Sequence, residues 1–297
     1  MKIKEWLNKA SKLLEDRLER EILLAHILQV ERPWLISHDM DEVSSQHARS
    51  YSKALSRRKS HTPIAQIVGY KEFYGRRFNV NKHVLIPRPE TELFIESIVE
   101  NEAGHIDTAQ NHAPIIWDIG TGSGAIAVTL ACELPNAKIL ATDISQRALE
   151  TAQENAKMHD FVSRIHFLQS DLIQKPVYRF LQQRGANNSH VILCANLPYL
   201  PISDIKKLSP DIRNFEPHTA LFSGTDGNDL IIKFLHQLSR HLPEFGFIKT
   251  DIYIECDPPQ SHFLQQQVKK LFPSARIEIK NDLATLPRLL CIYLSSH

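Results

Sequence analysis

The chain has 297 residues, 42% of them hydrophobic and 23% charged, which is enough to bury a real core and still leave a polar surface, as one large domain or two modest ones. Lys and Arg number 35 against 34 Asp and Glu, and a formal charge of +1 argues against affinity built on neutralising many phosphates, and so against direct nucleic-acid binding. The opening Met1-Lys2-Ile3-Lys4-Glu5-Trp6 carries charges where a signal peptide needs its apolar core, and no apolar run approaches the roughly 18 residues of a membrane span. A cytoplasmic protein without a membrane anchor is therefore expected. Cys132, Cys194, Cys256 and Cys291 lie far apart and read as reduced, mostly buried thiols.

The first sixty or so residues follow a helical period. Trp6, Leu7, Ala10, Leu13 and Leu14 share one face, as do Ile22, Leu23, His26, Ile27 and Val30. Glu31-Arg32-Pro33-Trp34 reads as a helix stop, and residues 41–58 as another polar-faced helix ending in a basic run. From Pro63 the pattern becomes strand-like, in residues 64–70 and 72–80 with glycine punctuation, which predicts a hairpin joining two domains. The expected division is a helical domain over 1–62, a hairpin linker over 63–86 and a larger domain over 87–297.

Beyond Pro87 strands and helices alternate. Residues 115–118 and 138–143 read as strands, 125–133 as the helix between them, and Ser145 as the cap of a helix running to about Met158. Residues 165–168 and 191–195 continue the series. This alternation implies an α/β domain with a mostly parallel sheet covered on both faces. The polar stretches 100–112 and 182–190 read as surface insertions.

Asp118-Ile119-Gly120-Thr121-Gly122-Ser123-Gly124-Ala125 follows the first strand of the alternating region and opens a helix. Glycines in such a turn tolerate positive φ and let a ligand approach the backbone, while the helix start offers unpaired N–H groups. Asp143 ends the next strand, where a carboxylate can accept from both hydroxyls of a ribose, so an adenosine-bearing cofactor is expected. The loop alone fits a dinucleotide fold as well as a methyltransferase, or a turn that merely packs a helix against a strand. Ser170-Asp171-Leu172 follows the strand at Ile165; an Asp there also serves as an ordinary turn or cap residue.

Asn196-Leu197-Pro198-Tyr199 ends the run 191–195, at the strand ends where α/β sheets bind ligands. Asn196 offers a side-chain carbonyl and Leu197 a main-chain one, Pro198 fixes the turn, and Tyr199 supplies an aromatic face. Two acceptors held in this way suit a planar NH2 group and would aim its nitrogen at a cofactor methyl. The segment resembles the (Asn/Asp/Ser)-x-Pro-(Tyr/Phe) signature of amino-methyltransferases, which act on adenine, cytosine or glutamine amide nitrogens.

Ile86-Pro87-Arg88-Pro89-Glu90-Thr91-Glu92 reads as a rigid extended joint with a fixed guanidinium. Together with Pro63-Ile64-Ala65-Gln66-Ile67-Val68-Gly69, Phe73-Tyr74-Gly75, the Gly120–Gly124 loop, Asp143, Asn196, Glu216-Pro217, Ala220-Leu221, Asp226-Gly227 and Asp282-Leu283-Ala284, it resembles the HemK/PrmC family of protein-(glutamine) methyltransferases over nearly the whole chain. The resemblance implies a small N-terminal helical domain, which would dock the substrate or simply stabilise the second domain, a hairpin, and a seven-stranded Rossmann-like class I methyltransferase domain. It also implies transfer of a methyl group from S-adenosyl-L-methionine to the glutamine amide nitrogen in the Gly-Gly-Gln loop of class I peptide chain release factors.

Carried over by position, Gly120, Thr121, Gly122, Ser123, Gly124, Asp143, Asp171, Leu172 and Asn196 would bind the cofactor. Asn196, Leu197, Pro198 and Tyr199 would hold the glutamine, and Arg88 would lie at the mouth of the site. Leu197 departs from the family, which usually has proline there: the carbonyl is kept, but φ is unlocked and an N–H is added. Asn-Leu-Pro-Tyr also occurs in ribosomal RNA adenine dimethyltransferases, so an RNA or DNA adenine methyltransferase using Arg57-Arg58-Lys59 and Arg76-Arg77 is the second enzyme reading, and a non-catalytic cofactor-binding protein the third. The 15 histidines show no metal-ligand spacing, so no metal is expected.

Overall fold

The computed structural model describes residues 1–103, 113–183, 186 and 189–295. The chain divides into two compact units, Met1–Tyr70 with Leu208–Phe215, and Lys71–Lys207 with Glu216–His297. In the first unit lie α1 (Ile3–Ala10), α2 (Arg17–Leu28), α3 (Arg32–Ser37), α4 (Ser45–Lys59) and α5 (Ile64–Val68). Asp16 Oδ1 accepts from the Leu18 N–H to start α2, and Ser44 Oγ accepts from His47 to start α4, each satisfying a donor the helix leaves open. Leu23, Leu24, Leu35, Tyr51 and Leu55 fill the core, with Trp6 edge-on to Tyr51 at 6.1 Å. Gln66 Nε2 donates to the Phe215 carbonyl at 2.9 Å and ties the returning segment into this unit.

Two local readings are corrected. The expected stop at residues 31–34 is also a start: Pro33 occupies the first turn of α3, where its missing N–H leaves no bond unmade. Residues 64–68 form helix, not the first strand of a hairpin. Ile64, Ile67 and Val68 recur at helical spacing and pack on the helical core, and Gly69 at φ 88° ends the turn. The two-stranded sheet is confined to β1 (Tyr70–Phe73) and β2 (Arg76–Asn79), joined by Tyr74 and Gly75 at φ 49° and 70°, the handedness that a two-residue hairpin turn requires.

The second unit continues with α6 (Glu92–Ala103), β3 (Ile115–Ile119), α7 (Ala125–Glu133), β4 (Lys138–Asp143), α8 (Gln146–Met158), β5 (Ile165–Gln169), α9 (Lys175–Gln183) and β6 (His190–Ala195). After α10 (Pro210–Phe215), which belongs to the first unit, come α11 (Asp229–Phe245), β7 (Lys249–Glu255), α12 (Ser261–Leu271), β8 (Arg276–Asn281) and β9 (Pro287–Ser295). The seven strands are ordered β5-β4-β3-β6-β7-β9-β8. The first five run parallel, and β9 runs antiparallel between β7 and β8. Both faces of the central strands are buried: Trp117, Ile119 and Leu193 enter one core, Ile116, Ile192 and Cys194 the other. The Trp117 indole N–H is satisfied by Thr142 Oγ1 at 2.9 Å.

Register places the chemistry. Ile119 pairs with Thr142 on one side and Ala195 on the other, and Ala195 pairs in turn with Ile254, so the carboxyl ends of β3, β4, β6 and β7 form one rim. The chain passes to β4 on one flank of β3 and to β6 on the other, and this reversal opens a crevice. Cys194, Cys256 and Cys291 are buried, Cys132 is half-buried, and all four are free thiols. Of the two stretches expected to be surface insertions, 104–112, 184–185 and 187–188 lie outside the described residues, whereas 100–103 continue α6, 182–183 end α9, Ala186 is buried in the core and His190 opens β6.

Asn155 on α8 is fully buried and braces the rim. It exchanges hydrogen bonds with the Asn79 backbone (2.7 and 3.0 Å) and donates to the Ser123 carbonyl at 2.8 Å. Asn155→Ala strands those backbone groups, and we expect it to cost about 2–4 kcal/mol in urea unfolding of the ligand-free protein; a loss below about 1 kcal/mol would contradict the bracing role.

Candidate active site

The loop after β3 is held by backbone. The N–H groups of Gly120 and Thr121 both donate to the Thr142 carbonyl, at 2.8 and 2.9 Å. Gly120 and Gly124 sit at φ 74° and 80°, where glycine is the natural occupant. A Cβ on Gly124 would meet Ala152 Cβ at 3.0 Å, so that glycine lets α7 and α8 approach; one on Gly120 would press on Leu197 Cδ2 at 3.3 Å. Beneath the loop Asp118 accepts from Thr121 Oγ1 (2.6 Å) and the Ala127 N–H (3.2 Å), and burial pushes its carboxyl up to about 7. Asp143 accepts from the N–H groups of Gly122 (3.0 Å) and Ser145 (2.8 Å), while burial raises it against those bonds.

Within the second unit a cavity of about 350 Å³ opens on the crevice, the size range of small-molecule sites. Of the residues singled out in the sequence, Arg88, Gly120, Thr121, Gly122, Ser123, Asp143, Asp171, Leu172, Asn196, Leu197 and Pro198 line it. Gly124 and Tyr199 do not. Gly124 faces Ala152, and Tyr199 packs against the core with its hydroxyl turned to Glu255. Leu172 is buried in the left-handed region at φ 56°, with its carbonyl held by Ser170 Oγ at 2.9 Å. Asp171 pairs with Lys233 at 2.8 Å.

Asn196 is oriented by a buried network. Its Nδ2 donates to Glu255 Oε2 and to Thr91 Oγ1, both at 3.1 Å. Thr91 Oγ1 donates to Glu255 Oε2 at 2.7 Å, and the Tyr199 hydroxyl donates to Glu255 Oε1 at 3.1 Å. Burial pushes Glu255 above the ordinary carboxylate range, opposed by the bonds from Thr91 and Tyr199 and the charge of Arg288. Both of these bonds are made by Nδ2, which leaves Oδ1 as an acceptor for the cavity that Asn196 lines.

Arg88 has a partner that the sequence did not reveal. Its Nη2 lies 2.6 Å from Oε1 of the buried Glu216, whose Oε2 accepts from the Ile86 N–H at 3.0 Å. The pair fixes the joint over residues 86–88 at the cavity wall. Glu255, Thr91 and Glu216 were not foreseen as site residues. The available signal for Glu255 was a carboxylate closing the apolar run Ile252-Tyr253-Ile254, at a strand end beside that of Asn196. Among the described residues Glu102, His190 and Asp251 form a cluster with metal-like spacing, but Lys249 Nζ and Asn101 Nδ2 each lie 3.0 Å from Asp251 Oδ2 and fill it with donors.

Comparison with known proteins identifies the family and the fold. A family described as the PrmC N-terminal domain matches residues 5–69, and a methyltransferase domain family matches residues 116–215. The chain is 34% identical over 287 residues to the release factor glutamine methyltransferase of Bacillus cereus, covering 95% of this chain and 96% of that protein. It is 33% identical over 284 residues to the enzyme of the same name from Staphylococcus aureus, covering 94% and 95%. Among solved structures it shares its fold with the N-terminal domain of human METTL16 in complex with SAH, at TM-score 0.52 and 13% identity over 92% of this chain and 94% of that one. The fold is that of class I methyltransferases, and the chain belongs to the release factor glutamine methyltransferase family.

Proposed function

We propose that this protein transfers a methyl group from S-adenosyl-L-methionine to the side-chain amide nitrogen of the glutamine in the Gly-Gly-Gln loop of class I peptide chain release factors. The observation that carries the reading is the Asn196 carboxamide, anchored through Nδ2 with Oδ1 left over, in the same cavity as the glycine loop. The residues present fit the cofactor: Gly120 and Gly122 present backbone without side chains at the cavity, and Asp143 is held there with acceptor capacity remaining. When bound, the cofactor supplies an electrophilic methyl on a positively charged sulfur.

The rest is the work of this chain's residues. A carboxamide nitrogen is a poor nucleophile because its lone pair is delocalised. Asn196 Oδ1 and the Leu197 carbonyl would accept its two N–H bonds and hold the nitrogen in line, an entropic advantage of up to roughly 7–11 kcal/mol. The same acceptors stabilise the amino protons as positive charge develops on nitrogen. No general base is required in this scheme, since the product can release its proton after transfer. Asp171 and Leu172 would border the adenine, Pro198 would fix the turn of the glutamine-binding segment, and Tyr199 acts from behind it through Glu255. Arg88, braced by Glu216, would shape the entrance used by the release-factor loop.

Residues 1–62 are assigned to docking the substrate, 63–86 to the joint and 87–297 to the transferase domain. Supporting a docking role, Ile36 and Met40 are exposed at 67% and 50%. The nucleic-acid reading is weakened, because two of the five basic residues it would use are paired with acids: Arg58 with Glu19 at 2.8 Å and Arg76 with Glu133 at 2.7 Å. No helix among the described residues is long and apolar enough to cross a membrane. A release-factor substrate fits a reaction in the cytoplasm, and the proposed transfer calls for neither metal nor nucleic acid.

Asn196→Ala should lower labelling of a purified class I release factor by radioactive S-adenosylmethionine at least about 100-fold, with calorimetric cofactor affinity nearly unchanged. Undiminished labelling would remove Asn196 from its role. Asp143→Ala should do the reverse, weakening cofactor binding about 10–100-fold through lost charged hydrogen bonds, with labelling recovered at saturating cofactor. Unchanged affinity would reject the ribose assignment.

A further inference from the structure

The carboxamide of Asn196 could face the cavity through either of its two ends, and only one is useful. An oxygen accepts the N–H bonds of an incoming amide; an NH2 turned the same way would oppose them. We infer that Glu255 is the positioning residue that sets this orientation, and that it acts on the methyl-transfer step through Asn196 without touching the substrate. The inference rests on the assignment of Asn196 as the glutamine-holding residue.

The register supplies the placement. Ala195 pairs with Ile254, so the next residues, Asn196 and Glu255, leave adjacent strands at the same level of the rim. Glu255 is 3% exposed and accepts three hydrogen bonds, from Thr91 Oγ1, Asn196 Nδ2 and the Tyr199 hydroxyl. Glu255 already accepts from the Thr91 and Tyr199 hydroxyls, and its Oε2 meets Asn196 as an acceptor too, so the NH2 end of Asn196 faces it. Thr91 adds direction: its hydroxyl proton is committed to Glu255, so it meets Asn196 as an acceptor and also selects Nδ2. Glu255 and Thr91 Oγ1 both take the NH2 end of Asn196, and Oδ1 is left for the cavity. Turning the amide over would set its oxygen against a buried carboxylate and leave an NH2 group at the cavity.

A substitution of Glu255 that merely loosened the fold would weaken cofactor binding along with turnover. A positioning role separates them. In Glu255→Met, of similar length but without acceptors, kcat toward a purified release factor should fall at least about 30-fold with cofactor Kd close to the parent, both measured below the variant's melting temperature. The sharper test reverses the polarity. Asn196→Asp sets two carboxylates against each other and should be nearly inactive, whereas Asn196→Asp combined with Glu255→Gln restores a donor to the buried side and an acceptor to the cavity. The double variant should exceed Asn196→Asp alone at least about tenfold in kcat, a coupling expected only if the two side chains act as a pair.

A Glu255→Met enzyme with parental kcat, or a double variant no better than Asn196→Asp, overturns the inference. If Glu255→Met does not fold, the comparison of Asn196→Asp with the double variant decides by itself. Asn196→Ala, run alongside, separates the two claims: activity retained there defeats the role of Asn196, while activity lost there but kept in Glu255→Met defeats only that of Glu255.

Discussion

A carboxylate buried at the end of a central strand has to be given donors, and in this protein one of the donors is the side chain that also lines the cavity, Asn196. Glu255 takes hydrogen bonds from Thr91, Tyr199 and Asn196, which come from two separate parts of the second unit's sequence, the joint before α6 and the segment after β6. Satisfying that one group fixes the start of α6, the turn after β6 and the face that Asn196 shows to the cavity. Burial opposes the charge, and the network offsets that cost by supplying three donors. A small departure of any member would leave buried polar groups unpaired, so the arrangement is stiff, as a site that works by alignment needs to be.

The cofactor side of the crevice is stiffened differently, mostly through backbone. Thr142 offers one carbonyl to two loop N–H groups, Asn155 reaches the Ser123 carbonyl from α8, and Asp143 takes the Gly122 N–H. Glycine serves two purposes within five residues: at Gly124 it admits Ala152 of the neighbouring helix, and at Gly120 it leaves space for Leu197. Leu197, which stands where proline is usual in the family, is buried against the loop and belongs to the core. Its side chain therefore couples the two halves of the cavity by packing, a different form of restraint from the locked φ of a proline.

The strands and helices that frame the crevice were readable because their signals are local. The run at residues 138–143, the helix at 125–133 and the Ser145 cap need only period and capping chemistry, and the helix after Ser145 ends at Met158 as read. Residues 64–68 were misread because five apolar-rich residues fit either period, and packing on the helical core decides the outcome. The partners of the visible motifs were harder to see. Glu216 lies 128 residues from Arg88, and Glu255 lies 59 from Asn196. A buried acid at such a distance carries no local mark of its partner; the register of β6 on β7 brings Glu255 to Asn196, and register is a property of the folded sheet. The return of Leu208–Phe215 to the helical unit was hidden for the same reason.

The account comes down to the direction in which one amide points when substrate is present. The most direct test is a crystal structure of the protein with S-adenosylhomocysteine and a Gly-Gly-Gln release-factor fragment. It should show the glutamine NH2 donating to Asn196 Oδ1 and to the Leu197 carbonyl, with Nδ2 still on Glu255 and the glutamine nitrogen facing the sulfur. A glutamine held by other residues, or an Asn196 side chain rotated away from the cavity, would contradict it.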